Sequence, residues 1–335
     1  MIARRDFLRF FAAAGAANTL GVGRDAAAAE PAPETTRLRI VHAANNCYAP
    51  QYIAEDLLRA EGFSGLQYVR LSNVGGREGT YALLERGDAD LTMAFSSGFL
   101  LRVDAGAPIV MLAGMHPGCL ELVASSRIRS VRDLKGRTVG LPALNGPHHA
   151  FVASIIGHVG LDPRRDINWV VIDSDSLIAQ FNAGKIDATI LSAPLNYQWR
   201  AQKTGHVIVN MTTDRPWSQY FCCVLAGNRD FVRKHPVATK RAMRAVLKGA
   251  SLCADAETAA QQLVKRGFHQ NYDITLQMLR DLPYARWRDY DVEDTVRFYA
   301  LRLHEGGMIK SSPKKILAEA TDFRFLNELK KELKA

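Results

Sequence analysis

The sequence predicts an α/β fold made of two similar lobes, each built on parallel strands. Three observations carry that prediction. From Arg37 onward, short β-branched runs alternate with longer helical patterns, the order that builds parallel sheets covered by helices. One pattern recurs at a constant offset of 97 residues: Leu84-x-x-Gly87-x-x-Asp90 returns as Phe181-x-x-Gly184-x-x-Asp187, and Pro50 returns as Pro147. The chain has 335 residues, 47% hydrophobic and 23% charged, enough for two buried cores and unlike disordered, collagen-like or coiled-coil chains.

Strands are expected at Leu38–Val41, Leu66–Leu71, Leu91–Phe95, Ile109–Ala113, Thr138–Leu141, Trp169–Ile172, Ala188–Leu191 and Val207–Val209, where β-branched and apolar residues cluster between turn signals. Helices fill the gaps at Pro50–Glu61, Gly79–Glu85, Ser97–Ala105, His148–Val159 and Ser176–Asn182. In each copy of the repeat the Gly is a helix C′ residue with positive φ, and the Asp sits in the turn that feeds the next strand. Leu120–Ala124 and Phe221–Leu225 flank the second copy and suit paired crossing strands, with the chain leaving lobe one near Ser125 and returning near Phe221. The remainder is largely helical: one long helix over Phe231–Ala254, an N-cap at Asp291 and a C-cap at Gly306-Gly307.

The first residues read as an export leader. A basic stretch (Met1–Arg9) precedes an apolar, Ala-rich run (Phe10–Val22) and then Ala26-Ala27-Ala28-Ala29, with cleavage expected near Ala28 or Ala29. Arg4-Arg5-Asp6-Phe7-Leu8-Arg9 resembles the twin-arginine motif. The apolar run is too short to span a bilayer. Lys plus Arg exceeds Asp plus Glu by 43 to 34, a net charge of +9; loss of residues 1–29 removes four Arg and two Asp and leaves +7. Five cysteines (Cys47, Cys119, Cys222, Cys223, Cys253) are an odd number for a disulfide framework. They read as small buried residues, with the adjacent Cys222 and Cys223 on opposite faces of a strand.

Several stretches resemble the NMT1/THI5-like (SsuA-like) family of periplasmic substrate-binding proteins. They are Ala49-Pro50-x-Tyr52-Ile53-Ala54, Leu84 to Asp90, Val131-x-Asp133-Leu134-Lys135-Gly136-Arg137-Thr138-Val139-Gly140, Val159-Gly160-Leu161-Asp162-Pro163, and Ala183-Gly184-x-Ile186-Asp187-Ala188 followed by Pro194. The resemblance covers about residues 37 to 255. It implies a type II periplasmic-binding-protein fold, two α/β lobes joined by a hinge, that closes on a small solute and needs no cofactor. It also implies delivery to an ABC transporter permease in the inner membrane. The lobes would be 37–125 with 222–335, and 126–221.

Ligand contacts are then expected from loops at the carboxyl ends of strands, where free helix N–H groups favour anions and polar heads. Asn45, Asn46 and Tyr48 offer two amides and an aromatic face after the first strand. Gly76 and Arg77 follow the second strand, with Arg77 an anion partner. Of Ser96 and Ser97, one hydroxyl is expected to cap a helix and the other to face the ligand. Lobe two supplies Asn145, His148 and His149, then Ser192 and Tyr197; Trp217 and Tyr220 stand near the hinge. Adjacent histidines without a carboxylate or thiol at ligand spacing make a poor metal site, so no metal is expected.

Three function classes compete. A monomeric, extracytoplasmic solute-binding protein for a small polar or anionic solute accounts for leader, duplication and the absence of catalytic motifs together. A pyrimidine-synthase-like enzyme using pyridoxal phosphate on the same scaffold is the alternative, echoed only by Phe221-Cys222-Cys223. A nucleic-acid binder would need a basic face interleaved with aromatics, and here Lys and Arg are spread and locally balanced.

Overall fold

The computed structural model describes residues 30–43, 46–70 and 79–333. The stretch expected to be an export leader lies outside the described residues. Residues from Pro33 to the C-terminus form one compact unit containing two five-stranded sheets. The strands are β1 (Arg37–His42), β2 (Gly65–Arg70), β3 (Leu91–Phe95), β4 (Ile109–Pro117), β5 (Leu120–Ala124), β6 (Thr138–Leu141), β7 (Asn168–Val171), β8 (Ala188–Ser192), β9 (His206–Asn210) and β10 (Phe221–Asn228). Sheet 1 has the order β2-β1-β3-β10-β4 and sheet 2 the order β7-β6-β8-β5-β9. In both, three parallel strands meet one antiparallel strand, β10 against β3 and β5 against β8. Each antiparallel strand comes from across the interlobe connection.

Helices cover the sheets. The first four are α1 (Ala49–Ile53), α2 (Glu55–Ala60), α3 (Gly79–Glu85) and α4 (Ser96–Asp104). Next come α5 (Pro147–His158), α6 (Ser174–Asn182) and α7 (Leu195–Gln202). The C-terminal set is α8 (Arg229–Lys234), α9 (Pro236–Leu252), α10 (Ala256–Lys265), α11 (Tyr272–Asp281), α12 (Val292–Glu305), α13 (Pro313–Ala320) and α14 (Arg324–Glu332). Pro50 and Pro147 both occupy the first turn of a helix, where the missing N–H costs nothing.

The sequence repeat has a physical counterpart in both sheets. Gly87 and Gly184 take φ of 73° and 70°, ending α3 and α6 in the left-handed conformation that glycine allows. Three residues on, Asp90 Oδ2 accepts from the Arg39 N–H of β1 at 2.7 Å, and Asp187 Oδ2 accepts from the Thr138 N–H of β6 at 2.9 Å. Each carboxylate also takes a guanidinium, that of Arg39 and that of Arg127 respectively. A buried acceptor so satisfied fixes where the third strand starts beside the first.

Three expectations are corrected. Leu120–Ala124 and Phe221–Leu225 do not pair: β5 lies between β8 and β9, and β10 between β3 and β4. The chain changes sheet at Gly118-Cys119, ahead of Ser125, because φ of 83° and 74° at these residues breaks the strand. The return crossing touches it there, since the Cys119 N–H donates to Thr212 Oγ1 at 3.3 Å and the Met211 N–H to Leu120 O at 3.0 Å. Nor is Phe231–Ala254 one helix. Pro236 restricts His235 to non-helical backbone, ending α8 and opening α9. The Asp291 cap forms as expected, its carboxylate accepting from the N–H groups of Glu293 and Asp294.

One core runs through sheet 1, the C-terminal helices and one face of sheet 2. A second, six-residue core (Val123, Leu177, Phe181, Ile186, Leu191, Trp199) packs α6 and α7 on the other face of sheet 2. Leu120, Leu122 and Ala124 of β5 point to the first core and Val123 to the second, the two-residue alternation of a strand. No helix among the described residues is long and apolar enough to cross a membrane.

Candidate functional site

The carboxyl ends of the parallel strands in the two sheets face each other where α4 meets α5. Ser97 Oγ at the start of α4 donates to Pro147 O at the start of α5, 3.1 Å away. Beside this bond the Phe95 ring stands edge-on to His148 (5.3 Å between centroids) and Phe151 (5.8 Å). The Tyr48 ring approaches Phe95 from the first strand-end loop at 6.4 Å. Burial pushes His148 down to about 4, with the nearby Cys119 opposing, so the ring is neutral at ordinary pH. An uncharged imidazole among aromatic rings suits hydrogen bonding to a ligand group more than charge pairing.

The remaining expected contacts separate. Asn45, Gly76 and Arg77 lie outside the described residues; Asn46 opens the short 3₁₀ turn Asn46–Tyr48. Asn145, at φ 56°, donates its N–H to His149 Nδ1 at 3.0 Å, and His149 in turn stands edge-on to Trp169 at 4.6 Å. Ser192 ends β8 opposite Leu120. Trp217 and Tyr220 pack against α12: Tyr220 stacks on Phe298 at 3.9 Å, and Trp217 lies between Phe298 and His158, 5.6 Å from each. Neither serine is a cap. The helix starts straight from β3, placing Phe95 at the cap position, so Ser96 Oγ donates to Phe221 O at 3.2 Å instead and ties α4 to β10.

Tyr197 belongs to a second group that the sequence reading did not assemble. A cavity of about 240 Å³ is lined by Cys119, Glu121, Tyr197, Arg200, Asn210 and Asp281, among others. The Tyr197 hydroxyl donates to Asp281 Oδ2 at 3.0 Å, and Arg200 Nε donates to Glu121 Oε2 at 3.0 Å. Glu121 is 3% exposed in an otherwise apolar strand, and a lone acid in such a run was the available signal. Arg200 supplies the partner that a buried carboxylate requires.

Four cysteines converge at the hinge. Cys119 Sγ lies 3.1 Å from Cys222 Sγ, and Cys47 Sγ lies 3.7 Å from Cys223 Sγ. All are buried and no disulfide links them. The expectation that Cys222 and Cys223 face opposite ways fails, because β10 slips register against β4 on both sides of Cys223 and turns both thiols toward Cys119. Burial raises Cys47, Cys222 and Cys223. Cys119 goes the other way: against its burial, hydrogen bonds from Cys222, Cys223 and Cys47 and the nearby His116 hold it well below the ordinary thiol value. His116, which no sequence motif marked, faces the Cys47 carbonyl through Nε2 at 3.2 Å and the Pro117 carbonyl through Nδ1 at 3.1 Å.

Comparison with known proteins places this geometry. The chain is 25% identical over 159 residues to the taurine-binding periplasmic protein of Escherichia coli K12, a stretch covering 47% of this chain and 48% of that protein. The chain thus matches about half the length of that relative. The crystal structure of the periplasmic nitrate-binding protein NrtA from Synechocystis PCC 6803 superposes with a TM-score of 0.75 at 16% identity, covering 91% of this chain and 90% of that one. The alkanesulfonate-binding protein SsuA from Xanthomonas axonopodis pv. citri, bound to MOPS, gives 0.68 at 17% identity, covering 88% and 100%. The desulfurization enzyme DszB shares the fold more distantly, at 0.58 and 15% identity over 89% and 99%. The fold is therefore that of the periplasmic binding proteins. The NMT1-like family model matches residues 31–266, most of the folded chain, and the protein belongs to that family.

Proposed function

We propose that this protein is an extracytoplasmic solute-binding protein that captures a small polar or anionic organic solute between its two sheets and hands it to an ABC permease. The observation that carries the reading is the direct meeting of the two strand-end faces, Ser97 on Pro147 beside Phe95 and His148, in a chain of this family. At the strand ends the two faces meet through one hydroxyl and a few rings, while a shared core joins the lobes behind them. A ligand that contacts both faces then favours the closed form. Relatives named for taurine, nitrate and sulfonate support an anionic head group as the target class. The exported, monomeric protein binds and releases its solute without chemistry, one lobe carrying sheet 1 with the C-terminal helices and the other carrying sheet 2, divided at the Gly118-Cys119 crossing and before Phe221.

Thermal shift and small-angle scattering on the mature chain, with taurine, a short alkanesulfonate, nitrate and an uncharged analogue, test this. One of the anions is expected to raise the melting temperature and reduce the radius of gyration together. Stabilisation by none of them at millimolar concentration, or stabilisation without compaction, overturns the reading.

A further inference from the structure

We propose that Cys47, His116, Cys119 and Cys223 bind one zinc ion as a closed, four-coordinate structural site at the hinge. Each offers one ligand atom, all four atoms lie within 4.8 Å of one another, and all four residues are buried. The spacing suits the ion. A tetrahedron of Zn–S bonds about 2.3 Å long has edges of about 3.8 Å, and Cys47 Sγ and Cys223 Sγ are 3.7 Å apart. Three thiolates and an imidazole form a familiar closed zinc set. The absence of oxygen ligands disfavours magnesium and calcium, and a fourth, nitrogen ligand favours zinc over copper(I).

The histidine supplies an independent reason. Both ring nitrogens of His116 point at carbonyl oxygens, of Cys47 and Pro117, yet a neutral ring has one N–H to give. The Cys47 carbonyl already accepts from the Tyr284 hydroxyl at 3.1 Å. A neutral ring donates through one nitrogen only, which leaves the other nitrogen available as the ligand atom that lies within 4.8 Å of the three sulfurs. Cys222 stands outside the set, its Sγ 3.1 Å from the Cys119 sulfur, and in the metal-bound form it would keep its proton and donate to that thiolate. Cys253, buried alone elsewhere, shows what a packing cysteine looks like in this fold.

Binding is an exchange without electron transfer. Zn²⁺ enters, the thiols of Cys47, Cys119 and Cys223 release their protons, and the centre carries a net single negative charge. The ligands come from the loop after β1, the end of β4, the outgoing crossing and the start of β10. The ion thus fastens the first cleft loop to both sheets' shared connection, whichever solute the cleft receives.

The full mature chain, purified with reductant and excess zinc and then desalted, is expected to retain one zinc per chain by elemental analysis. Cobalt(II) in its place should give the intense visible bands of a tetrahedral thiolate site. Cys119→Ser and Cys223→Ser should weaken retention more than about a hundredfold, whereas Cys222→Ser and Cys253→Ser should keep it. Cobalt spectra of the unaltered chain avoid any dependence on variant folding. The proposal is overturned if that chain retains no metal, if it retains only copper, if Cys222→Ser abolishes retention as completely as Cys223→Ser, or if peptide mapping of freshly exported protein finds a Cys119–Cys222 disulfide. Failure to bind any anion in the thermal-shift series leaves this result untouched, so the two readings fall separately.

Discussion

Sheet 1 and sheet 2 carry the same strand order and the same aspartate at the same turn, yet they are covered to different extents. Helix α9 lies on α1 with Gly249 against the Pro50 carbonyl, and the C-terminal helices close the rest of sheet 1. Sheet 2 has a six-residue second core and an edge strand, β7, on which Val170 and Val171 are 40% and 57% exposed. A shared architecture therefore does not distribute stability evenly. The lobe that owns the C-terminal helices is the buttressed one, and the inserted lobe is the more lightly covered.

Substitutions that strike equivalent points of the two lobes sharpen this contrast. The largest effect is expected at the repeat aspartates: Asp90→Ala strands the Arg39 N–H and guanidinium and should cost about 3–4 kcal/mol in chemical denaturation. Asp187→Ala should cost about 2 kcal/mol, since Arg127 is already 59% exposed. Equal losses would erase the contrast. A similar inequality is expected of added methyl groups. Gly249→Ala puts a Cβ 2.5 Å from the Pro50 carbonyl oxygen, which is backbone and cannot yield, and should lose about 3 kcal/mol. Gly140→Ala meets the flexible end of Ile186 at 2.6 Å and should lose about 1 kcal/mol.

Acid should act on the interlobe face. His148 sits at about 4 when folded because of burial, against about 6.5 in the unfolded chain, so the unfolded state takes up the extra proton first. Stability is then full above about pH 6.5 and declines as the pH falls toward 4, by up to about 3 kcal/mol. His148→Phe keeps a ring against Phe95, and its melting-temperature profile should be flatter across that window than the parent's. The smallest change in stability belongs to Ser97→Ala, which removes one interlobe hydrogen bond worth about 0.5–1 kcal/mol. Calorimetric titration should show about fivefold weaker binding of whichever solute closes the cleft, with the unfolding midpoint nearly unchanged.

Much of this architecture was legible because its signals are local. Gly87 with Asp90, and Gly184 with Asp187, mark the same helix-to-strand turn in three residues, and the constant offset between them revealed the duplication. The helix break at Pro236 was equally local and outweighed an amphipathic pattern that ran straight through it. The hinge cluster had only half a signal. His116 and Cys119 stand three residues apart, but Cys47 and Cys223 come from distant elements, and the slip in β10 defeats the alternation rule that assigns strand residues to faces. Ser96 and Ser97 were recognised as residues of interest, but their partners, Phe221 and Pro147, depend on tertiary contacts that no short window of sequence contains.

The exchange of antiparallel strands also sets a timetable for synthesis. Sheet 2 has its last strand, β9, once Asn210 has been made, whereas sheet 1, although begun at Arg37, lacks its interior strand β10 until Asn228. On the ribosome the inserted lobe can therefore close first, and the N-terminal strands must wait with an open edge for a segment more than a hundred residues downstream. That long-range closure is the kind of contact that slows folding and exposes strand edges to misassembly.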